Sequence, residues 1–257
     1  MMDAPHRLLK AKKAFGQNFL VNEGAIRAIV AAALEAPAER LLEVGPGPGV
    51  LTERLLGDGR PLWAVDLDPE AVALLRSRHA QAHFHLLLGD AVTLPLPEGP
   101  VWSIVGNLPY NAATPILARF LTEPVPWSRM VLMFQKEVGM KLMGRPGTKE
   151  YGPLSVLAQL CARLTRLAAL GPGSFRPSPK VDSVVLQFDP RTDAPDLATR
   201  RRLLGLLHRA FTHRRKTLSN TLGAEGVSAV GLDPSLRPEA LSPEQWLHLV
   251  RHWPHGL

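Results

Sequence analysis

The sequence predicts an α/β fold, a doubly wound and mostly parallel sheet followed by a small helical region. Leu41-Leu42-Glu43-Val44-Gly45-Pro46-Gly47-Pro48-Gly49 is an apolar run that enters an acid and then places glycine at alternate positions. That is the pattern of a buried parallel strand ending in a tight turn, where another molecule can approach the backbone. Further short apolar runs at 61–66, 84–90 and 102–107 each end in a polar residue, with room between them for crossover segments. Near Pro190-Arg191-Thr192-Asp193-Ala194-Pro195 the composition turns polar, and helical patterns replace strands beyond it.

At 257 residues the chain can bury a substantial core and fits one large domain, or a large one plus a small one. Thirty Lys and Arg against 23 Asp and Glu give a formal charge of +7, which favours an anionic partner such as nucleic acid. Cys161 is the only cysteine, so an intramolecular disulfide framework and a cysteine-cluster zinc site are excluded. No apolar stretch reaches the length of a membrane span, and the N-terminus lacks the apolar region of a signal peptide. A cytoplasmic monomer with no membrane partner is expected.

Residues 1–22 read as a basic arm with Arg7, Lys10, Lys12 and Lys13, leading into Phe15-Gly16-Gln17-Asn18-Phe19-Leu20. Two aromatics around a glycine and two amides can pack over a pocket and offer hydrogen bonds. An ordinary lead-in to the amphipathic helix expected over 23–35 fits equally. After the glycine turn, Leu51 to Leu56 can start a helix. The second strand ends in Asp66, 21 residues beyond Gly45, where a doubly wound fold places an acid that accepts hydrogen bonds from a ribose. Asp68 suits the N-cap of the next helix, with Pro69 in its first turn. The third strand delivers Asp90, which can accept from an adenine amino group or cap the turn that follows. His79, His83 and His85 have no spacing that matches a metal site, and no metal is expected.

The fourth strand runs into Asn107-Leu108-Pro109-Tyr110. A nicotinamide site fails at the glycine turn, because the dinucleotide fingerprint needs glycine where Val50 stands. Gly45, Gly47 and Gly49, with Glu43 two residues upstream, instead resemble the S-adenosylmethionine loop of class I methyltransferases. Asn-Leu-Pro-Tyr at the end of the fourth strand resembles the motif of enzymes that methylate exocyclic amines of nucleic-acid bases. The residue types suit that chemistry. An adenine amino group is a poor nucleophile because its lone pair is delocalised into the ring. Asn107 Oδ1 and the Leu108 carbonyl can each accept one amine hydrogen, which orients the lone pair and stabilises the charge developing on nitrogen. Pro109 limits where the carbonyl points, and Tyr110 offers a face on which the base can stack. A base within a helix must first be extruded, at a cost of a few kcal/mol.

A fifth strand over 129–136, a basic Gly/Pro loop from Lys141 to Gly152 and a helix over 154–161 come next, with final strands expected at 164–170 and 183–188. The loop from Gly171 to Lys180 is proline-rich and basic, and its Phe175 can stack on the other face of a target base. Residues 191–257 carry ten Lys and Arg against six Asp and Glu, a formal +4 of the chain's +7. Arg200, Arg201, Arg202, Arg209, Arg214, Arg215 and Lys216 fall on two expected helices, where they can meet phosphates or form a solvated face. The expected organisation is an arm and covering segment over 1–22, a Rossmann-like domain over 23–190 and a helical RNA-contacting domain over 191–257.

These motifs together resemble the ribosomal RNA adenine dimethyltransferases of the KsgA/RsmA type. The matching stretches are Phe15 to Leu20, Glu43 to Thr52, Asn107 to Asn111, Gln135 to Val138, Tyr151 to Val156, Phe175 to Val185 and Ala210 to Thr217, which span nearly the whole chain. The resemblance implies a class I methyltransferase fold with a mostly parallel seven-stranded sheet and a small C-terminal all-helical domain. It implies S-adenosyl-L-methionine as cofactor, held by Asn18, Leu20, Gly45, Gly47, Asp66, Asp90 and Asn107. The candidate catalytic residues are Asn107, Leu108, Pro109 and Tyr110, and the candidate RNA contacts are Tyr110, Phe175, Arg214, Arg215 and Lys216. The implied acceptor is a pair of adjacent adenosines near the 3′ end of small-subunit ribosomal RNA, each methylated twice, within an assembling 30S particle. Asp66 departs from the family pattern, which has glutamate there; the charge is kept with a shorter reach. Two rivals are the macrolide-resistance methyltransferases, which modify one adenine of large-subunit RNA, and a non-catalytic RNA-binding assembly factor. The stretch from Phe175 to Val185 and the C-terminal pattern speak against the first, and an intact Asn107 to Tyr110 against the second.

Overall fold

The computed structural model describes residues 9–12, 15–213 and 215–253, so Arg7, Lys13 and Arg214 lie outside the described residues. The chain divides into two compact units. The first takes the chain up to Arg119 together with Val125–Gly139 and Thr165–Asp189; the second takes Phe120–Pro124, Met140–Leu164 and the chain from Pro190 onward. The C-terminal helices thus share a unit with a stretch from the middle of the chain, and a single boundary at 190 does not describe the division.

Seven strands form one sheet in the order β4-β3-β2-β5-β6-β9-β7. They are β2 (Arg40–Val44), β3 (Leu62–Asp66), β4 (Phe84–Leu88), β5 (Trp102–Asn107), β6 (Trp127–Gln135), β7 (Ala162–Leu170) and β9 (Ser183–Pro190). The pairs among β2 to β6 are parallel, and β9 joins β6 antiparallel from Met130 opposite Phe188 to Gln135 opposite Ser183. Leu41 on β2 lies between Leu62 on β3 and Ser103 on β5, and every residue of β2 is buried. Neighbours on both sides explain why this strand is an unbroken apolar run rather than an alternating one. The chain adds β3 and β4 on one side of β2 and then returns to lay β5 on the other. That reversal opens a crevice at the carboxyl ends of the strands, the place where doubly wound sheets bind ligands. Glu43, Asp66 and Asn107 stand at those ends.

Helix α1 (Glu23–Leu34) is capped by Asn22, whose side chain accepts from the Ala25 N–H. Its Ala25, Ile26, Ile29, Val30 and Ala33 recur at helical spacing and join Leu41, Val105 and Val131 in the core. Helix α2 (Thr52–Leu56) leaves the glycine turn, and α3 (Pro69–Arg78) starts from the Asp68 cap with Pro69 in its first turn. Two features have no counterpart in the sequence reading. Helix α4 (Ala113–Thr122) connects β5 to β6, and β1 (Phe19–Leu20) pairs antiparallel with β8 (Phe175–Arg176) in a separate two-stranded sheet. Helices α5 (Lys136–Leu142) and α6 (Pro153–Cys161) follow β6.

In the second unit, α7 (Leu197–Phe211) begins at Asp196, which accepts the Thr199 N–H at 2.7 Å, and buries Leu203, Leu206, Leu207 and Ala210. Short helices α8 (Leu218–Leu222) and α9 (Ala224–Ala229) precede α10 (Pro243–His252), which opens on a Ser242/Gln245 capping box and buries Trp246, Leu249 and Val250. The Phe211 ring lies 6.4 Å from Tyr151 and 5.8 Å from Trp246, so an aromatic cluster joins α7, α10 and the residues before α6. No helix among the described residues is long and apolar enough to cross a membrane.

Candidate active site

An open cavity lies at the carboxyl ends of β2, β3 and β5. The glycine turn lines it. Gly45 and Gly47 have φ of +69° and +54°, values that side chains with a Cβ rarely adopt. A Cβ on Gly47 would sit 3.2 Å from the Phe19 ring, so that ring closes directly on the turn. A Cβ on Gly45 would sit 3.5 Å from the Asn107 carbonyl oxygen and 3.9 Å from Pro109 Cδ. The turn and the Asn-Leu-Pro-Tyr motif therefore form adjoining walls.

Glu43, Asp66 and Asp90 line the cavity, and no Lys or Arg stands among the described residues that line it. Glu43 is fully buried, accepts the Thr52 hydroxyl at 2.7 Å, and has its carboxyl pushed up to about 8 by burial. Asp66 accepts the Gly47 N–H at 2.9 Å on one oxygen and the Asp68 N–H at 2.8 Å on the other. Burial raises its pKa while these backbone donors oppose the rise. The Gly47 amide thus ties the shorter acid to the turn, and each carboxylate oxygen keeps a lone pair for a ligand hydroxyl. Asp90 does cap its turn, accepting the Val92 N–H at 2.8 Å on Oδ1, which leaves Oδ2 for a ligand. With Glu43 holding its proton at neutral pH, Asp66 and Asp90 make the acidic wall, which suits a cationic ligand bearing hydroxyls and disfavours a diphosphate.

Asn107 ends β5, and its Nδ2 donates to the Asn18 carbonyl at 2.9 Å. That bond fixes the amide with Oδ1 as its remaining face. The Pro109 carbonyl accepts the Ala112 and Ala113 N–H groups at 2.9 and 3.0 Å and so starts α4. Tyr110 is half-buried, with its hydroxyl 2.6 Å from Ser183 Oγ. Burial raises its pKa against the opposing effect of Ser183, so the phenol stays protonated and is no base at neutral pH.

A family model described as ribosomal RNA adenine dimethylase matches residues 8–252 of this chain. The chain belongs to that family. It is 42% identical over 265 aligned positions to a protein of Geobacter sulfurreducens named Ribosomal RNA small subunit methyltransferase A, with 95% of each covered. Two solved structures share its fold. A dimethyladenosine transferase from Plasmodium falciparum superposes with a TM-score of 0.76 at 22% identity, covering 90% of this chain and 95% of that one. The 23S rRNA methyltransferase ErmE gives 0.68 at 24%, covering 93% and 100%. These two confirm a class I methyltransferase fold and say nothing further at such identities.

In this dimethylase, Asn18, Leu20, Gly45, Gly47, Asp66, Asp90 and Asn107 line one cavity with Leu108, Pro109 and Tyr110. Phe175 requires correction. It is fully buried, lies opposite Leu20 across the β1–β8 pair and packs in the core with Leu20, Ile26 and Val185. Its ring offers no free face to a base; a large apolar side chain in a short loop against a core gains more by filling it. Arg200, Arg201 and Arg202 are each anchored to a carbonyl, their guanidinium groups donating to Leu121, Thr122 and Val250 respectively. Arg215 and Lys216 are exposed, and Arg214 lies outside the described residues. Sequence reasoning placed Asp68 at a helix cap and missed its second job: it also binds Lys12 and Gln17. The only available signal was the basic and amide-rich character of the segment before Phe19.

Proposed function

We propose that the chain transfers methyl groups from S-adenosyl-L-methionine to N6 of two adjacent adenosines near the 3′ end of small-subunit ribosomal RNA, two to each. It acts as a cytoplasmic monomer on an assembling small subunit. The observation that carries this reading is the Asn107 amide, held by Asn18 with its oxygen as the remaining face, beside a glycine turn in a carboxylate-lined cavity. The lining fits that cofactor. Asp66 suits ribose hydroxyls and Asp90 the adenine amino group. Leu67, an apolar side chain 51% exposed, gives the adenine ring a surface, and the acidic walls suit a molecule carrying a sulfonium and an ammonium.

When bound, S-adenosylmethionine supplies an electrophilic methyl group. Asn107 Oδ1 and the Leu108 carbonyl accept the amine hydrogens, draw N6 out of conjugation and aim its lone pair along the line of transfer. As the N–C bond forms and the methyl–sulfur bond breaks, leaving a neutral thioether, the positive charge that grows on N6 would be stabilised by the same two oxygens. One proton then leaves N6 for water, and Tyr110, protonated and half-buried, provides a stacking face rather than a base. In the second transfer only one amine hydrogen remains, so a single acceptor orients the lone pair.

The test supplies tritiated S-adenosylmethionine and the purified chain to small subunits from a strain lacking this modification, with free small-subunit RNA and large subunits in parallel. Label in small-subunit RNA and new primer-extension stops at two neighbouring adenosines are expected. Label confined to large-subunit RNA, or none in any acceptor, overturns the reading.

A further inference from the structure

Asp68 does not touch the reacting centre, yet its fully buried carboxylate gathers three donors. Oδ1 accepts the Glu70 N–H at 3.0 Å, which is its role as the cap of α3, and Lys12 Nζ at 2.7 Å; Oδ2 accepts Gln17 Nε2 at 2.8 Å. Lys12 and Gln17 come from 56 and 51 residues away in sequence, so a helix cap alone does not account for them. They also bind each other, since the Lys12 backbone N–H donates to Gln17 Oε1 at 2.8 Å, and Lys12 Nζ reaches Glu70 at 3.0 Å. Leu9, Phe19 and Ala71 make a small apolar cluster linking the same two stretches of chain. Gln17 immediately precedes Asn18, whose carbonyl holds Asn107 Nδ2 at 2.9 Å.

We propose that Asp68 is a positioning residue for methyl transfer: by clamping Lys12 and Gln17 it keeps the Asn18 carbonyl on the Asn107 amide and holds the covering segment over the cofactor. This rests on the methyltransferase reading given above. An amide has nearly the same shape either way round, so a loosened Asn18 carbonyl lets Asn107 rotate and present N–H, rather than oxygen, to the amine. Ordering a chain segment costs conformational entropy, and charge-assisted bonds to a buried carboxylate are strong enough to offset it. The clamp therefore acts on both cofactor retention and the catalytic amide.

The experiment uses the full chain and four variants. Asp68→Asn keeps an oxygen for the Glu70 N–H and so preserves the cap of α3. Gln17→Met keeps the shape of the side chain without its hydrogen bonds, Lys12→Met removes the ammonium and Lys12→Arg restores a cation. Two quantities are read: dissociation of tritiated S-adenosylmethionine over a range of NaCl, and single-turnover methyl transfer at saturating cofactor. Asp68→Asn and Gln17→Met should release cofactor about tenfold faster and transfer about tenfold more slowly, a loss that added cofactor does not repair. Lys12→Met should flatten the salt dependence of dissociation, and Lys12→Arg should restore it. Wild-type dissociation and transfer rates in both Asp68→Asn and Gln17→Met overturn the inference while leaving the methyltransferase reading intact. A wild-type chain that binds no S-adenosylmethionine overturns that reading instead.

Discussion

Asn107 is useful to a methyl acceptor only if its oxygen, not its nitrogen, faces the amine, and the Asn18 carbonyl makes that choice. Asn107→Ala removes the acceptor outright. Single-turnover transfer should fall by roughly a hundredfold or more, the cost of losing one preorganised group that stabilises developing charge. RNA retention on filters should be unchanged; a variant that turns over at the wild-type rate would dismiss the assigned role. A second prediction concerns Glu43. Burial raises its pKa from an ordinary 4.5 to about 8, with the Thr52 hydrogen bond opposing and nearby Asp66 adding to the rise. The folded chain then holds this proton more tightly than the unfolded chain. The stability it contributes is complete below about 4.5 and is lost as pH rises through about 8. Without cofactor, the melting temperature of the wild type should decline across that window, and Glu43→Gln, uncharged throughout, should flatten the decline. An equally steep decline in Glu43→Gln would show that Glu43 does not titrate there. The glycines, Asp66 and Asn107 were legible in the sequence because their chemistry is local to strand ends. Phe175 was not, because an aromatic in a proline-rich loop has the same sequence signature whether it faces a base or a core.

Elements were legible where period or punctuation marked them. The apolar run of β2, the acid-terminated β3 and the Asp68-Pro69 start of α3 all stand close to where sequence places them. The β1–β8 pair has only two residues on each side, too short for any alternation to register, and its partners lie more than 150 residues apart. Arg200, Arg201 and Arg202 read in the sequence as phosphate contacts or a solvated face for a similar reason: the carbonyls they reach are remote in sequence or carry no sequence signal. Arg201 Nε donates to the Thr122 carbonyl at 2.8 Å and Arg200 to Leu121 at 3.3 Å, at the C-terminal end of α4, where carbonyls lack helical partners and a cation opposes the negative end of the dipole. Arg201→Ala should therefore lower stability by about 0.5–1 kcal/mol in urea unfolding. It should leave the salt dependence of RNA binding as it was; a reduced slope would return Arg201 to the RNA interface.

Along the whole chain, charge and chemistry fall in different stretches of sequence. The cavity is lined by Asp66 and Asp90 with no Lys or Arg among its described residues, whereas residues 191–257 hold +4 of the chain's +7. An acidic pocket in a basic protein is what a cationic cofactor and a polyanionic acceptor together require: the pocket would repel phosphate, so the long-range attraction for RNA has to come from elsewhere on the surface. The sequence carried that contrast, but not the way the second unit recruits Met140–Leu164, because that packing depends on long-range contacts such as the Tyr151–Phe211–Trp246 cluster. Once Arg200, Arg201 and Arg202 are assigned to carbonyls, the exposed Arg215 and Lys216 after α7 are the stronger candidates for phosphate. Reversing both, Arg215→Glu with Lys216→Glu, should weaken RNA association and lower the slope of log affinity against log salt by about 1.4–1.8, since each lost phosphate contact removes roughly 0.7–0.9. Cofactor affinity, measured by calorimetry on the same variant, should not change, because neither residue lines the cavity. A weakened cofactor site would mean that the two cations support the fold rather than the RNA; an unaltered slope would assign the attraction to other cations of the chain.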